Sequence, residues 1–337
     1  MKLYKQLPLA AACILMALEA GAAYKSEEAT AEKPMILSLS HGLSETHTVH
    51  KAISMFADKV AEGTGGRIKI KIFPNAQLGS ETESMEQLMA GVIAMTKVSS
   101  PGLATYNEAY HTFGLPFLFN DTPNFYKVME SEPMRQFFLS TSADGFVTLT
   151  YYTSGARSFY TVKTPVRRPE DLKGLKIRVQ NMKSQIDMME ALGGIPVAMS
   201  YGEVYTSLQT GVIDGTENNE TALTTGKHGE VCKVYSVDQH AMIPDALVMS
   251  AKVWETISPA DQKIILDAAY ASTDWHKVEW DKAVDEAVKE AKEQMGVEFV
   301  TDVDKESFRT ATSSMLGEYS QNYPGVKRLL ELIDSVK

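Results

Sequence analysis

The chain repeats itself once, and that repeat limits what it can fold into. Leu88-Met89-Ala90-Gly91-Val92-Ile93 is echoed by Leu208-Gln209-Thr210-Gly211-Val212-Ile213, always 120 positions further on. Each copy reads as a helix end, a glycine stop and the start of a branched apolar strand. One echo at so long a period is not a solenoid. It predicts two related α/β lobes, although helix–glycine–strand joints also occur in α/β proteins at large. The length agrees with two: 337 residues suit two units of ~150 each better than one core.

Periodicity fills in the lobes. Pro34–Ser40 reads as a first strand, and Ile53, Phe56 and Val60 form the apolar stripe of a helix over 50–62. Gly63–Gly66 stops that helix, Ile68–Phe73 alternates as a strand, and a helix over 81–90 precedes a strand over 92–98. The second half runs strand 175–179, helix 184–192, helix 201–210 and strand 212–214. Residues 259–295 predict one long helix, rich in strong helix formers and long enough to brace both lobes. Leu329–Val336 reads as a short amphipathic helix.

The N-terminus carries an address. Lys2 and Lys5 precede the apolar run Leu7–Leu18, and small residues Ala20–Ala23 follow, the three-part pattern of a secretory signal peptide cleaved near Ala22 or Ala23. The run is too short to span a bilayer, which needs ~20 residues. Cys13 lies mid-run, whereas a lipid-anchoring cysteine should end it. Removing residues 1–22 takes away two lysines and one glutamate, so the net charge moves from −10 to −11. It leaves Cys232 alone, with no internal disulfide and no CxxC metal or redox site. An acidic chain without a basic run is a poor match for nucleic acid, and the mature protein is expected not to be membrane-inserted.

No nucleophile elbow, Walker A loop or dinucleotide-binding glycine motif is present. His47 and His50 are spaced to share a helix face, but no carboxylate or thiolate stands at matching spacing, so they read as covering a helix start rather than holding a metal. Neither a cofactor nor a metal is expected.

In open α/β lobes, ligands sit off the carboxyl ends of strands. The first strand delivers His41. The next delivers Lys97 and Ser99 on one face by alternation. A lysine in a buried strand must be paired or reach water, so Lys97 is placed at the cleft, snorkelling at a sheet edge being the alternative. In the other lobe Arg178 lies in the strand KIRV, where its planar fork matches a carboxylate; a local salt bridge is the competing reading. Asn218 and Asn219 suit hydroxyl readout or a plain turn, and Arg157 follows the small-residue crossing Ser154-Gly155-Ala156. Three cations facing one cleft of an acidic protein suit a small carboxylate ligand.

Several segments in order carry a family resemblance: QLGSETESMEQLMAGVIAM (77–95), FGLPFLF (113–119), LKGLKIRVQN (172–181), GEVYTSLQTGVIDGTEN (202–218) and SPADQKIILDAA (258–269). Over roughly residues 35–330 the chain resembles the substrate-binding proteins of tripartite ATP-independent periplasmic (TRAP) transporters. The resemblance implies an α/β, two-lobed periplasmic receptor with hinge strands and a long helix spanning both lobes. The lobes would comprise residues 34–154 with 244–283, and 155–243 with 284–337. It implies capture of an organic acid, without catalysis, and delivery to the subunits of a TRAP membrane permease.

Residue by residue, it implies that Arg178 clamps the carboxylate and that Asn218, Arg157, Tyr201 and Asp245 line the site with Lys97 and Ser99. His41, Glu81, Lys97 and Asp245 are expected to read hydroxyls from the opposite lobe. Sialic-acid-binding relatives carry Glu at the place of Ser99 and an aromatic at that of Lys97, so the chain departs from them. MTKVS, ARSFYT and EVCKVYS look closer to members that bind uronates and aldonates. A C4-dicarboxylate receptor, and a sugar-acid lyase or isomerase using Lys97, are the alternatives.

Overall fold

The computed structural model describes residues 25–336; the signal segment and Cys13 lie outside them. Eleven strands occur among the described residues: β1 (Met35–Ser40), β2 (Ile68–Phe73), β3 (Met95–Ser99), β4 (Phe146–Tyr152), β5 (Arg157–Thr161), β6 (Lys176–Val179), β7 (Ile195–Ala198), β8 (Gly215–Asn218), β9 (Val234–Ala241), β10 (Asp245–Ser250) and β11 (Glu298–Val300). They form two sheets, ordered β2-β1-β3-β10-β4 and β11-β9-β5-β8-β6-β7. Apart from the edge strand β11, the second order is the first with each strand exchanged for its counterpart. Three parallel strands are followed in each sheet by one antiparallel strand, β10 or β5. The chain changes sheet three times, through residues 153–156, through 242–244 and along the helical stretch between β10 and β11; each antiparallel strand follows directly from one of the first two crossings.

Five helices position the site: α1 (Thr48–Gly63), α2 (Glu81–Ala90), α3 (Lys183–Ala191), α4 (Pro259–Glu293) and α5 (Pro324–Val336). The α1 stripe of Val49, Ile53, Phe56 and Val60 is fully buried, and His47 caps the helix by accepting from the amide of Val49 at 3.1 Å. Ser80 and Glu83 form a capping box at the start of α2. The 35 residues of α4 extend ~50 Å. Ile265, Ala268 and Ala269 pack into the core of the first sheet and Ala291 into that of the second. The α5 helix also bridges: Leu329 and Ile333 join Phe113 and Phe125, while Val326 joins Phe308 and Tyr319. Among the described residues no helix is long and apolar enough to cross a membrane.

The echo is structural, but its strands start later than the apolar pattern predicts. Residues 92–94 and 212–214 are not strand; β3 begins at Met95 and β8 at Gly215. In both copies the glycine adopts positive φ, +80° at Gly91 and +72° at Gly211. Its amide bonds back to Leu88 or Leu208, and the next amide bonds to Gln87 or Ser207. This is a Schellman closure, so Val92 and Val212 give their N–H groups to a helix end rather than a ladder. Both valines are exposed, at 58% and 52%. The predicted helix over 201–210 likewise opens as a 3₁₀ turn before a short α-helix over 204–209.

Candidate functional site

On the first sheet, β3 and β10 pair with Ser99 opposite Asp245 and Lys97 opposite Leu247. The Lys97 ammonium donates to Glu81 Oε1 at 2.9 Å and to Asp245 Oδ1 at 3.3 Å. Glu81, at the start of α2, also accepts from the Ser99 amide at 3.0 Å, and Ser99 Oγ donates to Asp245 at 3.3 Å. Four of the sequence-chosen residues therefore form one hydrogen-bonded group. Burial works against the charge of Lys97, but Asp245 and Glu81 outweigh it and hold the ammonium well above the ordinary lysine range.

His41 lies just past β1. Its Nδ1 accepts from the Leu43 amide at 3.2 Å, which places the proton on Nε2, 3.0 Å from His50 Nδ1. Burial, then the nearby Lys97 charge, lowers His41 and His47 to about 3, so both are neutral. No trio of metal-ligating side chains occurs among the described residues.

Arg178, in β6, is 3% exposed. Its Nε and Nη2 both donate to the Met199 carbonyl, at 3.1 and 2.9 Å. Among the described residues, no carboxylate is within salt-bridge distance of it. The competing reading of Arg178 as a local salt bridge is therefore not what the structure holds. Burial, with Arg157 adding repulsion, pulls its guanidinium below its usual value, although Glu217 acts the other way. Burial pushes the half-buried Tyr201 phenol up, while Arg178, Lys97 and Arg157 all pull it down.

Arg157 is placed differently. Its Nε and Nη2 fork onto Glu217 at 2.6 and 2.9 Å, and Nη1 donates to Asn218 Oδ1 at 2.8 Å. Each of its three nitrogens donates to the protein. Asn218 Oδ1 also accepts from the amide of Asn219, so its side chain is oriented from two sides. Beyond Glu217 lies His240, with Nε2 at 3.4 Å from Glu217 and Nδ1 at 2.5 Å from Asp238. Burial opposes a charge on His240, yet Asp238 and Glu217 push it up to about 9. Glu217 in turn falls to about 2: burial would raise it, but Arg157 and His240 prevail. The result is a buried chain of alternating charge, Arg157–Glu217–His240–Asp238.

Glu217, His240 and Asp238 were not singled out from the sequence. The signal was available: Glu217 is the 120-residue counterpart of Lys97, and a carboxylate in a buried strand needs a partner for the same reason. Gln180 was also missed. Its Nε2 donates to Ser99 Oγ at 2.7 Å, joining the two lobes. A separate cavity of about 500 Å³ lies by the first two crossings, bordered by Thr153, Gly155, Met242 and Trp280. None of the nine sequence-chosen site residues lines it.

The two-lobed α/β frame is that of a solute receptor of the periplasmic-binding type. The family model of the bacterial extracellular solute-binding proteins, family 7, matches residues 39–322, and the chain belongs to that family. It is 40% identical to YiiZ of Salmonella typhimurium, an uncharacterized protein, over 90% of this chain and 92% of the relative. A TRAP periplasmic solute-binding protein of Anaerococcus prevotii, solved with bound D-glucuronate, superposes with a TM-score of 0.86 at 36% identity. That match covers 90% of this chain and 98% of the other. The Xanthobacter autotrophicus protein with bound β-D-galacturonate gives 0.85 at 33%, covering 89% and 100%.

Proposed function

We propose that the protein is a secreted, periplasmic receptor that captures a hexuronate such as glucuronate or galacturonate and hands it to a TRAP-type permease. The observation that carries this reading is Arg178, a buried guanidinium held by a single carbonyl with no carboxylate of the protein against it. A ligand carboxylate is the group that such a fork fits. The uronates bound to two close structural relatives support the same class of ligand.

In this reading Arg178 grips the carboxylate, and Lys97, Glu81, Asp245 and His41 face the hydroxyls from the first lobe, with Ser99 lining the cleft between Asp245 and Gln180. Asn218 acts beside Arg178, and Tyr201 is a wall. Arg157 sets the orientation of Asn218 and bears on the ligand through it. The chain divides into residues 34–154 with 244–283, and 155–243 with 284–337, supported by the two sheets, with α5 reaching from the second unit into the core of the first.

The engagement of Arg157 by Glu217 argues against a dicarboxylate, since only one of the two forks is left for an acid group. Lys97 argues against lyase or isomerase chemistry. An amine held protonated by two carboxylates is neither a nucleophile nor a base. A melting-temperature screen tests both points. Uronates are expected to raise the melting temperature, with ~2.7 kcal/mol gained at 100 times the Kd. Stabilisation by succinate or malate but not by uronates rejects the reading, and so does turnover of a sugar acid.

A further inference from the structure

We infer that Gln180 determines specificity by coupling closure of the lobes to recognition of one ligand hydroxyl. The inference rests on the reading of the Arg178 cleft as a sugar-acid site. Gln180 follows β6 two residues after Arg178, so strand alternation sends both side chains to one side. Its amide nitrogen reaches Ser99 Oγ, on the other lobe, at 2.7 Å. The Ser99 hydroxyl hydrogen is directed at Asp245 Oδ1, and its backbone amide is held by Glu81. The oxygen of Ser99 therefore faces Gln180 as an acceptor, which fixes the way round of the amide.

With the nitrogen committed to Ser99, the amide oxygen is determined as well. Gln180 Oε1 is buried and has no hydrogen-bond donor among the described residues. A buried acceptor without a donor is destabilising, and a closed cleft therefore favours a ligand that supplies one. A ligand carboxylate has no hydrogen to give; a sugar hydroxyl has. Gln180 thus separates hydroxylated acids from acids of similar size and charge that lack hydroxyls. It does so only when the lobes are together, because only then does Ser99 hold the amide in place.

The test combines ligand binding with a distance between lobes. Gln180→Met removes both amide functions, and Ser99→Ala removes only the acceptor that orients them. Against D-glucuronate, Gln180→Met is expected to weaken binding ~10-fold or more, and the double variant no more than Gln180→Met alone. Among monodeoxy glucuronates, one analogue should lose ~10-fold against the parent protein and nothing further against Gln180→Met. Affinity of Gln180→Met within twofold of the parent, losses that multiply in the double variant, or deoxy losses unchanged by Gln180→Met each overturn the inference.

Nitroxides on cysteines placed at the exposed Asp58 and Glu190 report closure directly, with the buried Cys232 out of reach. The short-distance population should fall in Ser99→Ala, with and without ligand, and an unchanged distribution overturns the coupling. Should the parent protein bind no uronate, the functional reading fails by itself, and the label distances in free protein still decide whether Gln180 and Ser99 hold the lobes. If Gln180→Met does not fold, Ser99→Ala carries the same comparisons.

Discussion

Lys97 and Glu217 are the third residues of β3 and β8, 120 positions apart at equivalent places in the repeat, and both are buried charges of opposite sign. Each is neutralised within its own lobe, Lys97 by Glu81 and Asp245, Glu217 by Arg157 and His240. The two lobes use one framework position for opposite electrostatic ends. One holds a buried cation; the other holds an anion that engages Arg157, while Arg178 is bonded to the Met199 carbonyl with no carboxylate against it.

That asymmetry makes Arg178 the sensitive residue for affinity. Arg178→Ala is expected to weaken uronate binding ~100-fold or more, since a buried ionic partner is worth ~3–5 kcal/mol on removal. Arg178→Lys should also bind worse, because a point charge does not replace a planar fork. Titration calorimetry decides it, and unchanged affinity in Arg178→Ala excludes the clamp.

Glu217→Gln should be a stability lesion. It strips the charge that Arg157 and His240 share, leaving both cations buried, and is expected to cost about 3–5 kcal/mol. Chemical denaturation of the free protein measures this, and a variant as stable as the parent contradicts the role of the buried charge chain.

The histidines predict a stability maximum near pH 6.5. His240 has a folded value of about 9, above its unfolded 6.5, so its contribution is complete below 6.5 and is lost as pH rises through 9. His41, His47, His228 and His276 are lowered to about 3, chiefly by burial. They bind protons more readily when unfolded, so stability falls as pH drops from 6.5 towards 3. Denaturation curves across pH should show both limbs. His240→Asn should flatten the alkaline one; an alkaline slope that persists refutes this assignment.

Cys232 should be inert in the native state. It is buried and unpaired, and burial pushes its thiol up to about 12. In protein expressed without residues 1–22, a thiol reagent is expected to find one group only after denaturant is added. Rapid native labelling contradicts its burial.

Much of the frame was legible in the sequence because it follows from short-range rules. The α1 stripe and the glycine stops at Gly91 and Gly211 each act over a few neighbouring residues. Even the late start of β3 and β8 has a local cause, the Schellman bond from the residue after the glycine, but apolarity at Val92 and Val212 masked it. His41, Lys97, Ser99, Arg178 and Asn218 were found by asking what each strand delivers at its end, and Arg157 by the small-residue crossing before it; Tyr201, Asp245 and Glu81 entered with the family resemblance and the reading built on it. What their polar groups are bonded to does not follow from that question.

The sequence by itself determined that there are two α/β lobes of one pattern, a helix long enough to span them, and an arginine in an apolar strand. Tertiary structure alone decided which of the buried charges are matched within the protein. Lys97 meets Asp245 across 148 residues of chain, Arg157 meets Glu217 across 60, and Gln180 meets Ser99 across 81. Such partners are chosen by sheet order and by the packing of one lobe on the other. Charge attraction in a dry interior depends on distance in space, which the order of residues along the chain does not encode.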